Sequence, residues 1–141
     1  MYIYWIFKPS HMANTYNIGG STGQITLEAD ISTVGLAATQ AIVLEVSGDD
    51  DGTTVASSND ATGNIPSQAI GDFNLIKGKR LTVFTKISLT DSDPAARANQ
   101  AASVSGIYIL AGGDGGAQTY TNTTRDYKDP NVFMSCLVDM Q

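Results

Sequence analysis

Strict alternation of apolar and polar side chains recurs along this chain, and over residues 80–90 it is longest. Leu81, Val83, Thr85, Ile87 and Leu89 fall on one side there, with Thr82, Phe84, Lys86 and Ser88 on the other. A period of two is that of a β-strand, whose successive side chains point to opposite faces, and it excludes an amphipathic helix. Ile25, Leu27, Ala29 and Ile31 alternate in the same way with Thr26, Glu28, Asp30 and Ser32, which describes a strand with one buried and one wet face. Ile42, Leu44 and Val46 repeat the pattern against Val43 and Glu45. Near the C-terminal end Val132, Met134, Cys136 and Val138 alternate with Phe133, Ser135, Leu137 and Asp139.

Shorter strand candidates cover residues 53–56, 104–110 and 118–122. The acidic run Gly48-Asp49-Asp50-Asp51-Gly52, the Lys77-Gly78-Lys79 segment and the glycine-rich residues 112–116 punctuate them as turns. Residues 57–64 read as a loop. Pro66 and Gly71 bracket an irregular stretch, and Phe73, Leu75 and Ile76 make a short apolar segment after it. Asp93-Pro94 before the alanine-rich residues 95–102 gives an N-cap with Pro at the first helical position, hence one or two turns of helix or a loop. With 14 glycines, only 16% charged residues and 141 residues in all, the chain suits one loop-rich β domain. The expected fold is all-β: an antiparallel β-sandwich, Ig-like or jelly-roll, with seven to nine short strands and at most one short helix.

The N-terminal end departs from this pattern. Tyr2, Ile3, Tyr4, Trp5, Ile6 and Phe7 run consecutively and hold four of the eleven aromatic residues, including the only Trp. Such a run strongly favours β structure, and left unpaired it is an aggregation hazard. It is too short for a membrane span, which needs about 20 apolar residues. No basic region precedes it and no small-residue cleavage site follows, so it makes a poor signal peptide, and cytoplasmic expression or association with a particle is expected. His11-Met12 has the form of a cloning junction. On that reading residues 1–11 are an engineered or fused strand, and residues 12–141 form the single sandwich domain.

A net charge of −6 and a pI near 4.4 argue against nucleic-acid binding, because little here would displace counterions from a phosphate backbone. Lys77, Lys79 and Arg80 form the one basic knot, which a turn entering a strand explains. The only histidine, His11, falls at the suspected junction, so the body of the domain has no imidazole for a hydrolase triad or a zinc site. The only cysteine, Cys136, excludes an intramolecular disulfide and reads as a buried, inert thiol in a strand.

Carboxylates are more plentiful. Asp49, Asp50 and Asp51 in one loop are the first candidates for calcium, with Asp91 and Asp93 as a second group and Asp114 among glycines. The spacing does not match an EF-hand, and acidic loop tips equally serve turn chemistry and solubility. A glycosidase-like carboxylate pair is the weakest reading, since sequence does not supply the separation. Tyr120, Asn122, Arg125, Asp126 and Tyr127, with Tyr108 nearby, would suit a sugar-binding face: aromatic planes stack on pyranose rings while amide, carboxylate and guanidinium groups bond hydroxyls. Their alternative places are a core face and strand ends. Asn122-Thr123-Thr124 also matches a glycosylation sequon.

The expected function is a non-enzymatic structural or interaction module that pairs with an extended apolar strand or assembles with like subunits into a homo-oligomer. Tyr2, Tyr4, Trp5, Ile6 and Phe7 are its candidate partner-binding residues, because strand addition combines main-chain hydrogen bonds with pockets for alternate side chains. The alternative is a lectin-like, carbohydrate-binding β-sandwich, calcium-assisted if the aspartates converge.

Overall fold

The computed structural model describes residues 13–141. Its elements are β1 (Asn14–Tyr16), β2 (Gln24–Ser32), β3 (Leu36–Leu44), β4 (Thr53–Ser57), β5 (Ile65–Asp72), α1 (Phe73–Ile76), β6 (Arg80–Ser88), α2 (Pro94–Ala102), β7 (Ser105–Ala111), β8 (Gln118–Tyr120), β9 (Thr124–Lys128) and β10 (Asn131–Met140). Strands account for 53% and helices for 10%. They form two sheets. The larger has six strands in the order β1-β10-β6-β3-β4, with β9 also on β10; the smaller has four, β5-β2-β7-β8.

The all-β expectation therefore holds at the level of two sheets, with three corrections. Ten strands are present rather than seven to nine, and two helices rather than at most one. The larger sheet is mixed, because β1 runs parallel to β10, with Asn14 opposite Val138. Both short additions have local causes. β1 has only three residues, too few to register as a period. β9 is polar, and it pairs with β10 across the tight turn at residues 129–130.

One cluster of buried side chains fills the space between the sheets. Ile25, Leu27, Ala29 and Ile31 of β2 and Tyr108 and Leu110 of β7 meet Leu81, Val83 and Ile87 of β6 and Met134, Cys136 and Val138 of β10 in it. These are the inward positions that the alternation marks. Two threonine hydroxyls lie among them, and Thr39 and Thr85 satisfy each other across a 2.8 Å hydrogen bond.

Residues 66–71 are not irregular. They belong to β5, an edge strand of the smaller sheet, whose ladder with β2 shifts register twice. Pro66 is tolerated there because an edge strand has one side that donates to no neighbour. Ile65 and Ile70 are the buried anchors. Phe73, Leu75 and Ile76 fall in the single turn of α1 rather than in a strand. In α2 the expected cap is present: Asp93 Oδ1 accepts the Ala95 N–H at 3.2 Å and Pro94 opens the helix.

The glycine-rich turn after β7 folds back on β1. Tyr16 donates its hydroxyl to Gly116 O at 2.7 Å and accepts the Gly113 N–H at 2.9 Å. The Gln141 N–H bonds Tyr16 O at 2.8 Å, so the start and the end of the described chain are fastened together. No helix among the described residues is long and apolar enough to cross a membrane.

Candidate functional site

The larger sheet is buried on both faces over part of its area. Register places Ile42 of β3, Thr82 of β6 and Leu137 of β10 in one row across its outer face, away from the common core. In an ordinary two-layer β protein such positions are wet. Here Thr82 is 0% exposed, Leu137 3% and Ile42 4%. Ser135 and Leu44, on flanking rows of that face, are buried as well. The row between Ser135 and Gln40 holds Phe84, which stacks on Phe133 with ring centroids 6.2 Å apart and planes 13° from parallel.

The margins of this strip are built by local chemistry. Gly52, at a φ of +77°, lies against Ile42 and Leu44; a Cβ there would come within 2.6 Å of the Ile42 side chain, so the acidic turn closes over that corner only with glycine. Arg80 and Asp139 close another corner with a forked ion pair, the shorter arm 2.7 Å. Thr124 shares a 2.8 Å hydroxyl bond with Ser135 at the β9 side. Over the middle, around Thr82, no helix or strand of the described residues packs. The Thr82 hydroxyl is buried without a hydrogen-bond partner, as is that of Tyr108 on the inner side.

Alternation alone did not mark this strip. Its signal is that the nominally wet positions of two strands carry Phe84, Phe133 and Leu137. Ile42 and Leu44 point to the outer face, whereas Val43 joins the inner core, and Val46, past the end of β3, is 46% exposed rather than sharing their burial.

The candidate strand residues Tyr2, Tyr4, Trp5, Ile6 and Phe7, together with His11, lie outside the described residues.

The candidate calcium carboxylates are engaged in turns. Asp50 Oδ1 accepts the Glu45 N–H at 2.9 Å and so closes the β3–β4 connection. Asp91 Oδ1 accepts the Asp93 N–H at 2.9 Å, and Asp93 caps α2. Asp114 accepts the Gly20 N–H at 2.8 Å. Asp49 and Asp51 accompany Asp50 on the same turn, and among the described residues no three His, Cys, Asp or Glu side chains stand close enough to hold a metal ion.

The candidate sugar residues are dispersed. Tyr120 pairs in register with Tyr108 and shares its inward face; its hydroxyl donates to Thr15 O at 2.8 Å, and burial, with smaller effects of Tyr16 and Cys136, pushes its phenol up to about 12. Arg125 donates to Val104 O at 2.6 Å and Ala102 O at 3.2 Å, tying β9 to the end of α2. Asp126 faces the other side of β9, opposite Phe133, and pairs with Lys128 at 3.6 Å. Tyr127 donates to Asp129 at 2.9 Å, where the Arg97 fork also lands at 2.7 and 3.0 Å. The Arg97 bond, then that of Tyr127, holds the Asp129 carboxyl below the usual range. Asn122 is exposed and lines a small recess with Thr123, Thr124, Ser135 and Leu137. Tyr120, Arg125, Asp126 and Tyr127 are engaged at separate places, and among the described residues no single aromatic platform joins them to Asn122.

Cys136 is fully buried in the core with Met134 and Val138, and burial pushes its thiol up to about 12. A thiolate nucleophile needs the opposite shift. One cleft of about 210 Å³ is lined by Val43, Val55, Ile70 and Leu75, and another of about 280 Å³ by Glu28, Asp30, Asn64 and Pro66. Comparison with protein-family models, curated proteins and solved structures gave no match.

Proposed function

We propose that this protein is a non-enzymatic structural or interaction module, and that the outer face of its six-stranded sheet is where an extended apolar strand docks. The observation that carries this reading is the buried row Ile42, Thr82 and Leu137, interior-like on a face that no described helix or strand covers. Side chains this dry on an outer sheet face call for a further layer packed against them, which a docked strand would supply. The two-sheet β fold, sandwich-like and mostly antiparallel, serves as the scaffold for that face. Assembly of like subunits is the corresponding route to a homo-oligomer. The acidic balance of −6 disfavours a nucleic-acid partner.

The test compares charge on the two outer faces. In the full chain, Phe84→Lys on the strip is expected to change the sedimentation coefficient or raise binding of an apolar dye, while Ile107→Lys on the smaller sheet leaves both as in the wild type. If Phe84→Lys behaves like Ile107→Lys in both measurements, the reading fails.

A further inference from the structure

Away from that strip lies the cleft of about 210 Å³ where β4, the edge of the larger sheet, comes beside β5, the edge of the smaller one. Register shows how it is built. In the β3–β4 ladder Ala41 pairs with Ala56 and Ile42 with Thr54, which leaves Val55 as an extra residue. In the β2–β5 ladder Ile25 pairs with Gly71 and Thr26 with Ala69, which leaves Ile70 extra. Bulges at sheet edges re-aim side chains, and both extra side chains line this one cleft. Val43 of β3 and Ile76 of α1 form the buried part of its lining, whereas Leu75 is 64% exposed. From this geometry we infer that the cleft is a socket for one bulky apolar side chain of a peptide partner whose flanking residues are basic.

Size sets the first limit on the occupant. Pockets for drug-sized ligands begin at about 300 Å³, so this one suits a single side chain rather than a whole cofactor, and its aliphatic lining selects an apolar one. Charge sets the second. Asp50 lines the cleft, and Asp49 and Asp51 are exposed on the same turn. Lys79 is the one cation in the lining, and it is already paired with Glu45 at 3.1 Å. Lys77 is turned elsewhere, donating to Gly19 O. The rim therefore carries uncompensated negative charge, complementary to Lys or Arg. The backbone sets the third. Among the described residues β4 and β5 each end their sheet, so both walls have an edge that pairs with no strand. Such edges accept the main chain of an extended peptide. A second copy of this chain is a poorer occupant, because it brings the same net charge of −6.

The probe is a capped pentapeptide with a central phenylalanine, a threonine on each side of it and an arginine at each end. Amide and methyl shifts of the full chain are followed by nuclear magnetic resonance as it is added to wild type, Leu75→Lys, Asp50→Asn and, as a control, Ile107→Lys. The expected result is saturable binding with a dissociation constant of about 1 mM or tighter, its shifts centred on Val43, Val55, Ile70 and Leu75. Leu75→Lys, a change at an exposed position, weakens it at least about tenfold. Asp50→Asn keeps the Oδ1 acceptor for the Glu45 N–H and weakens binding about two- to threefold, whereas Ile107→Lys leaves it unchanged. In wild type, peptides with alanine for phenylalanine or glutamate for arginine bind at least about tenfold more weakly. Absence of saturable shifts, equal binding of either altered peptide, or unchanged affinity in Leu75→Lys overturns the inference. Shifts confined to Ile42, Thr82 and Leu137 overturn it too and assign the peptide to the outer strip. The Phe84→Lys sedimentation test reads that other face, so each result can fail without the other.

Discussion

The outer faces of the two sheets obey different rules. On the smaller sheet Glu28, Asp30 and Ser32 of β2 and Ile107 of β7 are exposed, the ordinary outward complement of a buried inner row. On the larger sheet the corresponding positions Ile42, Thr82, Ser135 and Leu137 are as dry as the core. A sheet with one dry face needs one partner layer, and the four-stranded sheet has it. A sheet with two dry faces needs two. The difference is what singles out the outer face of the larger sheet as the candidate contact surface proposed above.

The comparison breaks most visibly under charge. Leu137→Lys is expected to lower stability by about 3–5 kcal/mol, because a lysine buried there has no counter-charge, whereas Ile107→Lys stays within about 0.5 kcal/mol. Denaturant titration of both variants measures this, and equal effects would erase the contrast. The independence of the two faces is the next target. Arg125 is a link between them, joining β9 of the larger sheet to the α2–β7 connection. Arg125→Met is expected to cost roughly 1–2 kcal/mol, since it strips a charged donor from two carbonyls at a partly exposed site. Amide exchange should quicken at residues 100–105 while the Thr82 row keeps its protection.

Thr82→Val sharpens the claim of dryness. It removes a buried oxygen that has no partner and keeps the shape, so stability should rise by about 1 kcal/mol in thermal melts. In bulk-like surroundings the change would be neutral. The smallest effect is electrostatic and lies away from the strip. Asp129 has a depressed pKa in the folded chain because Arg97 and Tyr127 bond its carboxylate. Its contribution is therefore complete above the ordinary value of 3.8 and is lost as pH falls through the lower, folded value. Asp129→Asn should be less stable than wild type at pH 5, with the gap closing toward pH 2.

Much of the scaffold was legible in the chain. The inward rows of β2, β6 and β10 follow from alternation because one face of each meets the common core. The Asp93-Pro94 start of α2 follows from capping chemistry. Other elements were illegible for definite reasons. β1 is three residues long and gains its place from β10, a neighbour more than a hundred residues away. β5 carries Pro66 and Gly71, which argue locally against a strand that only edge position permits. Among site residues, Tyr120 and Arg125 look like ligand groups in sequence and are fastenings in space, since sequence does not say that Thr15 O and Val104 O are within reach. The outer strip was half legible: Phe84, Phe133 and Leu137 break the polar side of their patterns, but only the register aligns Leu137 with Thr82 and Ile42.

Thiol labelling tests the central claim most directly. Cys136 is the only cysteine, is fully buried and has a thiol pushed up to about 12, so it gives a silent background in the native protein. Introducing Thr82→Cys or Ile107→Cys into the full chain places one reporter on each outer face. The account predicts that the cysteine at 107 reacts with a thiol reagent at the rate of an exposed thiol, and that the one at 82 is protected to the level of Cys136 until the protein is unfolded. Equal, rapid labelling of both in the folded chain would contradict it.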